Sequence, residues 1–233
     1  MITLLPINIG ISRCLIGDLV RYDGAGKYSA VCHSVLSKNF QLTPLCPEVE
    51  SGLTIPRPPI ELIKYPKGVK VLGRDDRSID VTDQLKQYCD KRVLSLNSLS
   101  GFILTPRSPS CGLNTVSIKS PNGDLLSGTG MGYFTMTLSR QFAYLPLIEE
   151  PSLANERLLI LFQIRVIFYH LIMQDWLVTE RFINDSNYAT LISHVKKAEP
   201  KKNKLIAVNN GLNYLDDEQL KELLTLLREN LDE

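Results

Sequence analysis

The chain has almost no excess of charge of either sign, because its 26 lysines and arginines nearly balance its 25 aspartates and glutamates. General nucleic-acid binding needs a strong basic excess, so we do not expect that function. The start of the chain lacks a basic segment and a small-residue cleavage site, so we expect no secretory signal. Gln163 and Arg165 interrupt the longest apolar run, which falls short of the roughly 20 residues of a membrane-crossing helix. We expect a soluble, cytoplasmic protein with no membrane partner.

Closely spaced cysteine pairs are also absent. The five cysteines lie far apart, so the Cys-x-x-Cys spacings of zinc ribbons and ferredoxins do not occur. In a reducing compartment such cysteines are metal ligands, catalytic groups or core residues more often than disulfide partners.

Strand and helix patterns alternate over the first 150 residues. This alternation predicts an α/β fold with a mainly parallel sheet flanked by helices. The predicted strands are 6–12, 40–45, 69–72, 101–104, 116–119 and 125–127. The predicted helices are 28–36, 80–96, 133–142, 153–178, 188–197 and 216–231, with loops at 47–59 and 198–215. We therefore predict an α/β domain at 1–150 and a helical C-terminal region at 151–233.

Three cysteines follow predicted strands. Cys14 comes after the first strand, Cys46 after the second, and Cys111 lies in the loop after 101–104. The carboxyl ends of adjacent parallel strands lie at one edge of a sheet, so the three thiols should meet in one crevice. Thiolates bind soft metals and iron–sulfur clusters. This placement predicts an iron–sulfur site, and three unrelated loop cysteines are the alternative.

The other two cysteines have a simpler explanation. Cys32 and Cys89 lie on the apolar stripes of two predicted helices. Free cysteines behave as small hydrophobic residues, so we expect both in the core.

One acidic residue stands close to the cysteines in sequence. Glu48 follows Cys46 by two positions and can reach the same crevice. A carboxyl group in a partly dry pocket beside a negative cluster suits a general acid or base. The alternative is a loop glutamate paired with Arg57 or Arg13.

The loop that carries Cys111 supplies further candidates. Ser108 and Ser110 can hydrogen-bond a substrate or sulfur, or can cap a turn. Arg107 and Arg57 can anchor an anionic or carbonyl group of a substrate, or can be surface charges.

A family resemblance rests on three ordered motifs: Cys14-Leu15-Ile16-Gly17, Cys46-Pro47-Glu48 and Arg107-Ser108-Pro109-Ser110-Cys111-Gly112. Together they resemble the signature of the thiouracil desulfurase family over about residues 6–150. The segment 145–158 resembles the junction to a second helical domain that is often fused to this family.

The resemblance implies both a cofactor and a reaction. Cys14, Cys46 and Cys111 would hold a [4Fe-4S] cluster whose fourth iron has no protein ligand. Glu48 and either Ser108 or Ser110 would be catalytic. The activity would be a non-redox desulfuration of a small thiolated compound such as 2-thiouracil, with release of sulfide.

Two other functions remain open. One is a cysteine hydrolase or transferase with Cys46 or Cys111 as nucleophile, which would need a histidine base; none of the three histidines lies near the motifs. The other is a non-catalytic iron–sulfur or zinc module that binds a partner through its helical C-terminal region.

Overall fold

The computed structural model describes residues 6–175 and 188–232, where the strands form two four-stranded sheets. The first sheet is parallel throughout and has the order β2-β1-β5-β8. Its strands are β1 (Asn8–Ser12), β2 (Gln41–Leu45), β5 (Leu99–Leu104) and β8 (Leu147–Glu149). The predicted α/β class with a parallel sheet is confirmed by this arrangement.

The second sheet is mixed and has the order β4-β3-β6-β7. Its central pair, β3 and β6, is parallel, and both outer pairs are antiparallel. Its strands are β3 (Ile60–Tyr65), β4 (Gly68–Gly73), β6 (Val116–Lys119) and β7 (Leu125–Gly130). The predicted hairpin at 116–127 is confirmed, whereas β3 was not predicted.

The helices cover the parallel sheet and make up nearly all of the described chain after residue 155. They are α1 (Ser37–Asn39), which continues a π-helical turn (Cys32–Leu36), α2 (Pro47–Glu50), α3 (Thr82–Leu94), α4 (Tyr133–Gln141), α5 (Glu156–Met173), α6 (Ala189–Lys197), α7 (Lys201–Leu212) and α8 (Asp217–Asp232). Among these helices, none combines the length and the apolar character needed to cross a bilayer.

Two segments predicted as loops contain helices. Pro47 begins α2, since proline at the first helical position loses no hydrogen bond. The lysine-rich segment forms α7 because Leu205, Val208 and Leu212 repeat at helical spacing and are buried. The first helix is shifted relative to the predicted 28–36: it begins at residue 30, passes through the π-helical turn and ends with α1 at Asn39.

The C-terminal helix α5 packs directly on the parallel sheet. A Cβ atom on Gly101 of β5 would lie 2.7 Å from Val166 Cγ2 of α5, so strand and helix are in close contact. The predicted helix 153–178 begins at Glu156, where Asn155 caps it, and ends at Met173. Residues 176–178 of that prediction lie outside the described residues. The division at residue 150 stays a prediction.

Cys32 and Cys89 are fully buried, as predicted. Burial raises the pKa of Cys89 to about 12, so its thiol stays protonated at neutral pH. Both residues are core positions of the α/β fold.

The centre of the parallel sheet depends on one small residue. Gly10 of β1 faces Phe102 of β5, and a Cβ atom there would lie 2.2 Å from the ring. The ring cannot retreat easily, because it is fully buried and packs edge-on against Phe134 of α4 at 5.4 Å between centroids. Glycine at this position lets the ring fill the space beside β1.

We expect Gly10→Ala to lower the free energy of unfolding by about 1–3 kcal/mol, the usual cost of overpacking a core. Urea denaturation of both proteins measures the difference. Gly128→Ala is the matched control, since a Cβ atom at Gly128 would have no neighbour within 4 Å. Equal losses of unfolding free energy in the two variants would show that the contact with Phe102 does not restrict the residue at position 10.

Candidate functional site

The three cysteines lie at one edge of the parallel sheet. β2, β1 and β5 are adjacent and parallel, so their carboxyl ends coincide. Cys14 lies in the 3₁₀ turn (Arg13–Ile16) directly after β1. Cys46 immediately precedes α2, and Cys111 lies in the loop that follows β5. The topology that was predicted to bring the three stretches together is therefore present.

The three thiols also share one electrostatic environment. Cys14 and Cys111 are buried and Cys46 is half-buried. Burial is the main cause that raises the pKa of each thiol. Negative charge on Cys46 or Cys14 further raises the pKa of Cys111, an effect that requires proximity. In the free protein all three groups are therefore neutral thiols near pH 7, gathered in one crevice.

Two hydroxyl groups join the thiols to the strand ends. Thr105 Oγ1 lies 3.0 Å from Cys14 Sγ, and this contact lowers the pKa of the thiol against the larger effect of burial. Ser12 accepts a hydrogen bond from the Thr105 N–H at 3.0 Å, and its contact with Cys111 lowers the pKa of that thiol. Sequence reasoning gave neither residue a role. Their positions at the carboxyl ends of β1 and β5, beside the cysteine stretches, are the sequence feature that could have identified them.

Glu48 forms a buried ion pair with Arg57. Its Oε2 accepts a hydrogen bond from Arg57 Nε at 2.8 Å and lies 2.7 Å from Nη2. Both residues are only 9% exposed. Arg57 Nη2 also donates to the Val20 carbonyl at 3.0 Å. Arg13, the other predicted partner, pairs with Asp18 instead. Arg57 therefore orients Glu48.

The two candidate serines have different contacts. Ser110 is fully buried and donates a hydrogen bond to Glu48 Oε1 at 2.9 Å. Ser108 Oγ accepts the backbone N–H groups of Ser110 at 3.2 Å and Cys111 at 3.0 Å. Ser110 thus belongs to the Glu48 network, whereas Ser108 caps the turn that presents Cys111.

The N-terminus of α4 packs against the loop that carries Cys111. Thr135 is fully buried, and its hydroxyl donates to the Cys111 carbonyl at 2.8 Å. A Cβ atom on Gly132 would lie 2.5 Å from Ser110 backbone atoms. Glycine is thus required for α4 to approach the cysteine loop.

Arg107 is the exposed member of the candidate set. Its backbone has a φ of 61°, and its N–H donates to Thr115 Oγ1 at 2.7 Å. Within residues 6–175 and 188–232, its guanidinium makes no hydrogen bond or ion pair. Its role as a substrate anchor stays a prediction.

The described side chains include no group of three or more His, Cys, Asp or Glu residues arranged to hold a metal ion. The thiol crevice is therefore not a ready-made mononuclear metal site.

The model of the 2-thiouracil desulfurase family matches residues 9–150, which is more than half of the chain. The chain belongs to this family. The matched segment contains all three cysteines, Glu48 and Ser110, and it ends just after β8.

Two known proteins are similar to this member of the family. A solved [4Fe-4S]-dependent thiouracil desulfidase, TudS, is 28% identical, with a TM-score of 0.50 over 64% of this chain and 93% of its own. The uncharacterized protein YbbK of Bacillus subtilis is 28% identical over 141 residues, 58% of this chain and 90% of that protein. Both similarities agree with membership of this family. The family model does not cover the residues after 150.

We expect Arg57→Met to lower the free energy of unfolding by about 3–5 kcal/mol, because it leaves the buried Glu48 carboxylate without its opposite charge. Chemical denaturation of the protein without iron, under reducing conditions, measures the loss. Lys70→Met is the control, since it breaks the solvent-exposed pair with Asp80 and should change stability little. Similar losses in both variants would contradict a structural role for the buried pair.

Proposed function

We propose that the protein is a non-redox desulfidase that replaces the sulfur of a small thiocarbonyl compound, such as 2-thiouracil, by oxygen. The observation that carries this proposal is the contact of the Glu48 carboxylate, in the Cys46 stretch, with Ser110 of the Cys111 stretch. Glu48 lies two residues after Cys46, and Ser110, one residue before Cys111, donates to it. A group able to move protons thus stands close to the thiols of Cys46 and Cys111, which are candidate ligands for soft metals.

The donor set fits an iron–sulfur cluster. In a cluster each thiolate binds a different iron, so the three sulfur atoms need not converge on one point as they would around a single ion. Cys14, Cys46 and Cys111 are the residues that would hold a [4Fe-4S] cluster, with one iron left open. Because the thiols are neutral in the free protein, cluster binding must release their protons.

A bound cluster of this kind supplies an open, soft Lewis-acid position that suits a thiocarbonyl sulfur. The protein residues supply the proton chemistry. Glu48 Oε1, which receives the Ser110 hydrogen bond, accepts a proton from the water that attacks the thiocarbonyl carbon. Arg57 holds Oε2 and so fixes the direction in which the carboxylate faces.

The reaction balances without an external oxidant or reductant. One water and one thiocarbonyl give one carbonyl and one hydrogen sulfide, and the carbon keeps its oxidation state. The Ser110 hydroxyl donates its one hydrogen to Glu48 Oε1 and so, with Arg57, orients the carboxylate that takes up the proton. Arg107, exposed beside this loop, is the candidate anchor for a substrate carbonyl.

The geometry does not favour a cysteine nucleophile. Such an enzyme needs a thiolate beside a base, yet burial raises the pKa of Cys46 and Cys111. His170 of α5 contacts Ser100 of β5, and His33 contacts the Tyr28 ring. Neither of these interactions orients a histidine on the cysteine loops.

The ligand assignment predicts a clear division among the five cysteines. After anaerobic reconstitution, Cys14→Ser, Cys46→Ser and Cys111→Ser should each lose most of the broad visible absorbance and bound iron, because serine is a poor ligand for soft iron. Cys32→Ala and Cys89→Ala are the controls and should retain both. Full retention of iron and colour in any of the three serine variants would remove that cysteine from the ligand set.

Glu48→Gln should retain the cluster and lose about 10²–10⁴-fold in the rate of sulfide release, the usual contribution of a general acid or base. Sulfide production from 2-thiouracil under anaerobic conditions measures the rate, with absorbance as the check on cluster content. Glu61→Gln is a matched control, because Glu61 is equally buried and ion-paired but lies on β3 in the other sheet. A Glu48→Gln enzyme as active as the Glu61→Gln enzyme would exclude proton transfer by Glu48.

A further inference from the structure

A second candidate binding site lies where β8, α5 and α7 meet. A partly open cavity of about 250 Å³ is lined there by the chain segment 143–148, by one face of α5 and by one face of α7. Leu158, Phe162, Arg165 and Tyr169 repeat at helical spacing along α5 and form its longest wall. The volume is slightly below the usual range of ligand pockets, roughly 300–1,000 Å³, and suits a fragment-sized molecule.

Three polar side chains in this cavity have no protein partner. Arg165, Tyr169 and Asn209 line the cavity, and none donates or accepts a side-chain hydrogen bond within residues 6–175 and 188–232. Arg165 Nε is buried and unsatisfied. Tyr169 is 6% exposed as a whole residue. Buried polar groups are normally hydrogen-bonded, so the unsatisfied Arg165 Nε, with two further unpaired polar side chains beside it, points to a ligand.

The charge of the cavity indicates the chemistry of that ligand. Arg165 is the one charged residue among those described as lining it, and no carboxylate of the lining neutralises the guanidinium. Burial lowers the pKa of Arg165, in keeping with the absence of a counter-charge. Outside the lining, Lys202 Nζ lies 5.9 Å from the ring centroid of Tyr144, which adds positive charge near the wall.

This cavity is separate from the cysteine crevice. Segment 143–148 leads into the start of β8, whereas the cysteines follow the carboxyl ends of β1, β2 and β5. None of the residues that line the cavity is one of the three cysteines, Glu48 or Ser110. The helices α5 and α7, which contribute most of its wall, also lie beyond the family match at residues 9–150.

We propose that this cavity binds a small organic carboxylate with an apolar body. The Arg165 guanidinium pairs with the carboxylate, since guanidinium–carboxylate hydrogen bonds are charge-assisted and can be bidentate. The Tyr169 hydroxyl and the Asn209 amide donate the remaining hydrogen bonds. Apolar walls such as Phe162 and Val208 contact the body of the ligand. A ligand bound there would stabilise the packing of the C-terminal helices on the sheet.

Titration calorimetry of the full-length protein with benzoate tests the proposal. Benzoate should bind saturably, and benzamide, a neutral molecule of the same shape, should bind at least about tenfold more weakly because it lacks the charge. Arg165→Gln should lower the affinity for benzoate by about tenfold or more, and Tyr169→Phe should lower it by a smaller factor.

Arg140→Gln is the matched control, because Arg140 is exposed on α4 and the charge change is the same. It should bind benzoate like the unmodified protein. Arg165→Gln should melt no lower than the unmodified protein, since it removes no described hydrogen bond, so a loss of binding cannot be ascribed to unfolding. No saturable binding of benzoate, equal binding of benzamide, or unchanged binding in Arg165→Gln would each overturn the proposal.

Discussion

One buried ion pair connects the three cysteine stretches. Arg57 holds the Glu48 carboxylate beside Cys46, and its second terminal nitrogen reaches the Val20 carbonyl in the segment after Cys14. Ser110 joins the third stretch to the other oxygen of the same carboxylate. A buried charge is tolerated only when its partner and its hydrogen bonds are all present. The positions of the three loops relative to one another are therefore coupled through Glu48.

Burial also sets the protonation state of the three thiols. They are neutral in the free protein because burial disfavours the thiolate, while hydroxyls from Thr105 and Ser12 partly offset that cost. A site built in this way favours thiolates only when a cation compensates their charge. This environment suits metal ligands better than free nucleophiles, and it agrees with the likeness to a [4Fe-4S]-dependent desulfidase.

The region after residue 155 adds a different kind of site. Its helices α5 and α7 line a cavity in which the buried Arg165 Nε has no hydrogen-bond partner among the described residues, and none of the three cysteines lines that cavity. The close contact of Gly101 with Val166 shows that α5 is seated on the central strand β5. Since β5 also leads into the Cys111 loop, the same strand contacts α5 and carries part of the candidate active site.

The misread segments show where local pattern fails. Pro47–Glu50 reads as a proline-rich loop, yet the start of a helix tolerates proline and the turn presents Glu48 inward. Lys201–Leu212 reads as a polar loop because its lysines mask three buried apolar positions at helical spacing. In both cases, packing against the rest of the protein overrides composition. The ligand roles of Cys14, Cys46 and Cys111 remain a proposal.

The sequence by itself determined the α/β class, the placement of three cysteines after strands, and the burial of Cys32 and Cys89, because each follows from local periodicity and from how parallel strands align. Only the tertiary structure decided that Ser110 rather than Ser108 contacts Glu48, that Arg57 orients this carboxylate, and that Arg165 lines a cavity without a counter-charge. These facts depend on which side chains meet across elements distant in the chain. No local pattern encodes such meetings, since a loop serine or an arginine has the same neighbours in sequence whichever way it points.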